Sequence, residues 1–138
     1  MKSLKFTPSP TACVAVLAGL FVSLAFAADA PAGFSRKVLQ DQDISVAGHH
    51  AVVAQIDLAT GASAARHTHP GEELGYVVEG TVVLEIDGKP AQTLKAGDSF
   101  FVPAGAIHAA KNGGNVPAKV VSSYVLEKGK PLATPATK

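Results

Sequence analysis

From Ala51 to Glu127 short runs of β-branched, aliphatic and aromatic residues are broken by Gly, Pro or Asp at intervals of about ten residues, the spacing of strands and turns in an all-β sandwich or barrel. That punctuation excludes most other architectures. An amphipathic helix needs an apolar period of about 3.6 residues, and past the N-terminal stretch no such period lasts beyond a turn or two. The expected strands are Val52 to Leu58, Leu74 to Val78, Thr81 to Ile86, Ala91 to Lys95, Ser99 to Val102 and Ala118 to Glu127. In the third of these Val82, Leu84 and Ile86 share one face and Thr81, Val83 and Glu85 the other, because successive strand side chains point to opposite sides. Thr60-Gly61, Glu79-Gly80 and Ala96-Gly97-Asp98 supply turns, and Asp87-Gly88 is the strongest hairpin signal. Pro103 ends its strand because it cannot donate to a ladder, and Lys111 to Asn115 reads as a loop. The 13 Gly, 9 Pro and absent Trp fit turns and short strands better than long helices.

The chain has 138 residues, room for one domain of roughly 100 to 200 residues and too little for a two-domain enzyme. Hydrophobic residues make up 47% and charged residues 17%, enough apolar material to bury a core, which excludes a wholly disordered chain. The formal net charge is +1 with no basic run, so there is no electrostatic footprint for nucleic acid.

The N-terminus has a different character. Lys2 and Lys5 give a positive start, an apolar run follows from Ala12 to Ala27, and Ala25-Phe26-Ala27 gives the small-x-small pattern of a signal-peptidase site. Residues 1–27 are therefore read as a secretory leader, with a cut after Ala30 as the nearest alternative and a retained membrane anchor as the competing reading. The run is shorter than the roughly 20 residues needed to cross a bilayer, and no positive cluster stops it. No twin-arginine pair precedes it, so export through the general secretory route, with folding and metal loading in the periplasm or outside the cell, is expected. Cys13, the only cysteine, leaves with the leader, so the mature chain has neither disulfide nor thiol chemistry. The expected division is a leader at 1–27, an N-terminal arm at 28–50 with an edge strand in the Val38 to Val46 region, a barrel at 51–127, and a flexible tail at 128–138. The Ala-, Pro- and Thr-rich stretches 28–36 and 131–138 are expected to be poorly ordered.

Three of the five histidines fall where strands meet turns. His67 and His69 are two apart, so on an extended backbone both point to one face and two imidazoles can approach one ion. Glu73 follows past Pro70-Gly71, where the chain can bend a carboxylate back to that face, and His108 comes later, after Pro103-Ala104-Gly105. Three neutral nitrogens and one carboxylate suit a divalent first-row metal, and they leave positions open for water or substrate, the mark of a catalytic ion.

These residues sit in a larger pattern. Gly61, His67, His69, Glu73 and Gly80, followed by Gly97, Pro103, Gly105, His108 and Asn112, resemble the first and second motifs of the cupin superfamily at all ten positions, with the short insert between motifs of a small single-domain bacterial cupin. The resemblance implies a six- to eight-stranded antiparallel jelly-roll barrel with a metal inside, held by His67, His69, Glu73 and His108. The ion would be one of Fe, Mn, Ni, Co, Cu or Zn; outside the cytoplasm copper and zinc outcompete the others at equilibrium. The resemblance also implies a small-molecule substrate or ligand and pairing with a second copy. It does not select the reaction, since cupins include dioxygenases, isomerases, lyases and plain binding modules.

The remaining residues have plainer readings. Gly61, Gly80, Gly97, Gly105 and Pro103 belong to turns, and Asn112 bonds backbone in its loop. Glu73 is assigned as a ligand, with a proton-accepting role as the alternative. Glu72 alternates away as a solvated charge. Arg66 alternates away from His67 and can clamp a substrate carboxylate only across a bulge. His49 and His50, ahead of the first clear strand, are assigned to the surface or to a weak adventitious metal site. Tyr76, Phe100 and Phe101 are core or sheet-packing residues, one or two of which wall the metal pocket. The leading functional expectation is a dioxygenase-type enzyme acting on an enediol, flavonoid or other chelating molecule. A metal-assisted isomerase or lyase on a sugar or organic acid, and a non-catalytic metal or small-molecule binder, are the alternatives.

Overall fold

The computed structural model describes residues 32–136. The leader expected at 1–27, its cleavage points and Cys13 lie outside the described residues. Ten strands follow in order: β1 (Phe34–Asp43), β2 (His49–Leu58), β3 (Ser63–Thr68), β4 (Gly71–Glu79), β5 (Thr81–Ile86), β6 (Gln92–Lys95), β7 (Ser99–Val102), β8 (His108–Asn112), β9 (Ala118–Glu127) and β10 (Thr134–Pro135). No helix long and apolar enough to cross a membrane occurs among the described residues.

The strands form two five-stranded sheets, β1-β2-β9-β4-β7 and β10-β3-β8-β5-β6, with every pairing antiparallel. Apart from the β1–β2 and β5–β6 hairpins, each strand up to β9 is followed by one in the opposite sheet. This repeated crossing is the jelly-roll arrangement, and it brings residues distant in sequence to one interior. The Asp87-Gly88 hairpin pairs Thr81 with Lys95 and Leu84 with Gln92.

Period-two alternation decides which face is buried. Val52, Ala54, Ile56 and Leu58 of β2, Val82, Leu84 and Ile86 of β5, and Val120, Tyr124 and Leu126 of β9 meet in one core. Gly80 carries the chain from β4 to β5 and hence between sheets; its φ is +78°, and a Cβ there would lie 2.7 Å from the Pro117 carbonyl oxygen. Gly75 matters for a different reason. It is paired with Phe100, whose ring occupies the space that a Cβ would take, 2.0 Å away.

The barrel has more strands than the expected six to eight, and the additions lie at its ends. The edge strand of the arm runs earlier than the Val38 to Val46 region, because Phe34, Arg36 and Val38 pair with Leu58, Ile56 and Ala54. In the C-terminal stretch Thr134 and Pro135 pair with Thr68 and His67. Residues 34–36 and 134–135 thus take part in the sheets, ordered by backbone pairing that their composition does not signal. Lys111 and Asn112, expected in a loop, close β8, whose His-Ala-Ala-Lys-Asn sequence has little strand propensity of its own but pairs with β3 on one side and β5 on the other.

Candidate metal centre

The site forms where the two sheets face each other. His67 lies near the end of β3 directly opposite His108, the first residue of β8. His69 follows β3, and Glu73 comes from the inward face of β4 in the other sheet. One ring nitrogen from each of His67, His69 and His108 lies within 4.8 Å of the others, a cluster that could hold a metal ion. The fourth expected residue joins them: Glu73 Oε2 is 3.2 Å from His69 Nε2 and 3.2 Å from His108 Nε2.

Hydrogen bonding at the far side of each ring fixes what faces the centre. His67 Nδ1 lies 2.7 Å from the Ala65 carbonyl oxygen, His69 Nδ1 2.5 Å from that of Leu132, and His108 Nδ1 3.0 Å from that of Ala106. A carbonyl can only accept, so each Nδ1 donates, and each neutral ring presents its Nε2 lone pair to the interior. His67 Nε2 and His69 Nε2 are 3.2 Å apart. Lone pairs at that separation beside a carboxylate oxygen repel one another unless a cation or a proton stands among them. Two nitrogens bound to one ion at about 2.1 Å, with an angle between 90° and 110°, would lie about 3.0 to 3.4 Å apart. The donor set therefore fits a divalent transition metal in number, chemistry and spacing.

The electrostatics agree with a site built for positive charge. Burial pushes the His67 imidazole down to about 4, outweighing its bond to Ala65, so the ring is neutral near pH 7. Burial would lower His108 as well, but the Glu73 carboxylate beside it leaves it raised. Burial works to raise Glu73, yet the Nε2–H bonds that His108 and His69 can donate to it in their doubly protonated, metal-free form hold it well below the usual carboxylate range. Metal-free, the site can carry a proton between Glu73 and His108; an ion would replace that proton.

Two residues that the sequence reading did not single out set the carboxylate. Ser122 Oγ donates to Glu73 Oε1 at 2.7 Å, and Tyr124 Oη donates to the same atom at 3.1 Å, which leaves Oε2 for the histidines. Burial, then the nearby Glu73 charge, pushes the Tyr124 phenol up, so it stays protonated and remains a donor. The signal was available in β9: Val120, Ser122, Tyr124 and Leu126 share the buried face, and two hydroxyls on such a face need partners.

His67, Glu73 and His108 of the cluster line a cavity of about 550 Å³ whose walls also include Ile56, Leu58, Val82, Leu84 and Phe100, a size that suits a small organic ligand. Of the three aromatic residues assigned to packing, Phe100 lines this cavity, while Tyr76 and Phe101 are exposed. Of core and sheet packing, the core is thus corrected for these two and the sheet surface remains: on β4 the inward positions are Glu73, Gly75 and Val77, which turns Leu74 and Tyr76 outward, with Leu74 paired to Phe101. Glu72 is exposed as alternation requires. Arg66 reaches the cavity rim because the ladder between β3 and β8 does shift register between Ala64 and His67, and there it is held by Asp87 at 2.6 Å. His49 and His50 open β2 instead of preceding it. His49 Nδ1 donates to the Ala47 carbonyl oxygen, and His50 has an acidic partner that linear spacing hid, Asp41, at 2.7 Å. Asn112 bonds backbone as expected, its side chain donating to the carbonyls of Leu58, Ala59 and Val116 and accepting from Gly114 N.

Comparison with known proteins gives this geometry a family. Residues 54–124 match the cupin domain. The chain belongs to the cupin family. This cupin is 38% identical over 77 residues to germin-like protein subfamily 2 member 1 of Arabidopsis thaliana, a match covering 52% of the chain and 35% of that protein; it spans only part of its curated relatives. Among solved structures it resembles an oxalate oxidase in complex with the substrate analogue glycolate, with a TM-score of 0.59, 23% identity and coverage of 74% of this chain and 54% of that one. It also resembles the DMSP lyase DddQ of Ruegeria pomeroyi, with a TM-score of 0.62, 19% identity and coverage of 75% and 51%. At such identities the two structures establish the jelly-roll fold.

Proposed function

We propose that this cupin is an exported metal-dependent enzyme of dioxygenase type, acting on a small organic molecule at a centre held by His67, His69, Glu73 and His108. The observation that carries the reading is the convergence of three Nε2 lone pairs and one carboxylate oxygen at a cavity large enough for a substrate. A bound ion would supply Lewis acidity and open coordination positions. The chain's own contributions are distinct. The Ala65, Leu132 and Ala106 carbonyls hold each imidazole in one tautomer, Ser122 and Tyr124 hold the carboxylate, and the apolar walls exclude water from the reacting molecule. Export rests on the leader-like residues 1–27, and a leader ahead of a barrel that takes in β1 of the arm and β10 of the tail belongs to the same proposal. The oxalate oxidase likeness supports oxidative chemistry by analogy of fold. Protein isolated from its own compartment is expected to carry about one divalent ion per chain, and oxygen consumption is expected to keep step with loss of an enediol or similar chelating substrate. A metal-free isolate, or substrate loss without oxygen uptake, would reject this reading.

A second reading, a metal-assisted lyase or isomerase, is favoured by Tyr124. Its protonated hydroxyl lines the cavity and bonds Glu73, so phenol and carboxylate form a pair able to give and take a proton at one substrate. Turnover under anaerobic conditions that Tyr124→Phe abolishes even when excess metal keeps the variant's site filled, as checked by metal analysis, would select it. Saturable binding without turnover under either atmosphere would instead mark a binding protein.

A further inference from the structure

Arg36 occupies a position where the pattern of β1 calls for an apolar residue. It is paired with Ile56 and flanked by Phe34 opposite Leu58 and Val38 opposite Ala54. Directly paired residues share a face, so Arg36 stands on the same side of the sheet as the buried Ile56; it is exposed and lines the cavity with Phe34. Among the described residues no carboxylate lies within ion-pair distance of it. The other guanidinium at the rim, Arg66, is held by Asp87. The carboxylate lining the cavity, Glu73, is buried and committed to the histidines, Ser122 and Tyr124. The cavity lining therefore joins an exposed cation without an ion-pair partner, apolar walls, and residues of a cluster of metal-ligand type.

We propose that Arg36 anchors the carboxylate of an elongated organic acid whose apolar body fills the cavity and whose other end carries an oxygen donor for the ion at the histidines. This rests on the metal-centre reading given above and adds the substrate class. A planar guanidinium matches a carboxylate with two parallel hydrogen bonds, and a compact inorganic anion would leave the apolar walls uncovered. The anchor and the chelating end would fix the ligand at both termini, setting which bond faces the ion.

The test uses the zinc-loaded protein and alkyl hydroxamates with butylene, hexylene and octylene spacers, each ending in a carboxylate or in the isosteric carboxamide, titrated by calorimetry. The carboxylate of at least one length is expected to bind about tenfold more tightly than its carboxamide, as one charge-assisted contact at a wet rim implies. Arg36→Gln is expected to erase that gap while leaving the carboxamide unchanged, which also reports an intact fold, and Arg36→Lys to restore part of it. Binding of both probes with no gap at any length, or the same gap in Arg36→Gln, overturns the anchor alone. Failure of both probes on protein that takes up no zinc overturns the metal centre and the anchor with it.

Discussion

The molecule contains two groups of histidines, and they do different things with the same side chain. His67 and His69 are two apart and turn to one side, where His108 of β8 joins them, while His49 and His50 are adjacent in β2 and turn to opposite sides. In the first group every Nδ1 is occupied by a backbone carbonyl, which aims three Nε2 atoms inward beside a carboxylate. In the second, Asp41 takes Nδ1 of His50, and its Nε2 is buried without a partner among the described residues. Histidine content therefore says little about metal binding; what counts is whether lone pairs meet.

The largest expected effect tests that contrast directly. His69→Ala should lose the ion, measured by elemental analysis after dialysis against trace metal, whereas His49→Ala should keep it; equal metal content in the two would break the comparison. Next in size, stripping the ion with a chelator should lower the wild-type melting temperature by roughly 10 °C, since a ligand at about a hundred times its Kd stabilises by about 2.7 kcal/mol. His69→Ala should show almost no chelator response, and an equal response would place the stabilising ion elsewhere. Ser122→Ala and Tyr124→Phe should each weaken metal affinity by about 10- to 100-fold in competition with a coloured chelator, the usual effect of removing a residue that orients a ligand. Unchanged affinity in both would show that Glu73 needs no orientation. Smallest, Asp41→Asn should cost about 1 kcal/mol or less by denaturant unfolding and leave metal binding intact; a loss of metal would join the two histidine groups after all.

The sequence was most readable where chemistry and period coincide. Thr81 to Ile86, Ser99 to Val102 and Ala118 to Glu127 stand as strands with the expected boundaries, because alternating apolar side chains and Gly or Pro breaks mark both faces and both ends. His67 and His69 could be paired because a spacing of two reflects strand geometry, whereas His108 joins them only through the motif resemblance. Elsewhere the information is not local. β8 is ordered by its two neighbours, His50 finds Asp41 only across the β1–β2 ladder, and Arg36 becomes meaningful only when Ile56 shows which way it faces. Ser122 was within reach: a hydroxyl on the buried side of β9, with no exposure at all, asks for a partner that only the folded barrel supplies.

The hydrogen bond between His69 and the Leu132 carbonyl sets a practical boundary for anyone shortening the chain. A cut after Glu127 keeps every long strand and all four proposed ligands, yet it deletes the acceptor that fixes the His69 tautomer. Fusion partners belong beyond Ala136, and a trimmed version that folds well but holds its ion poorly would trace the fault to a single missing carbonyl.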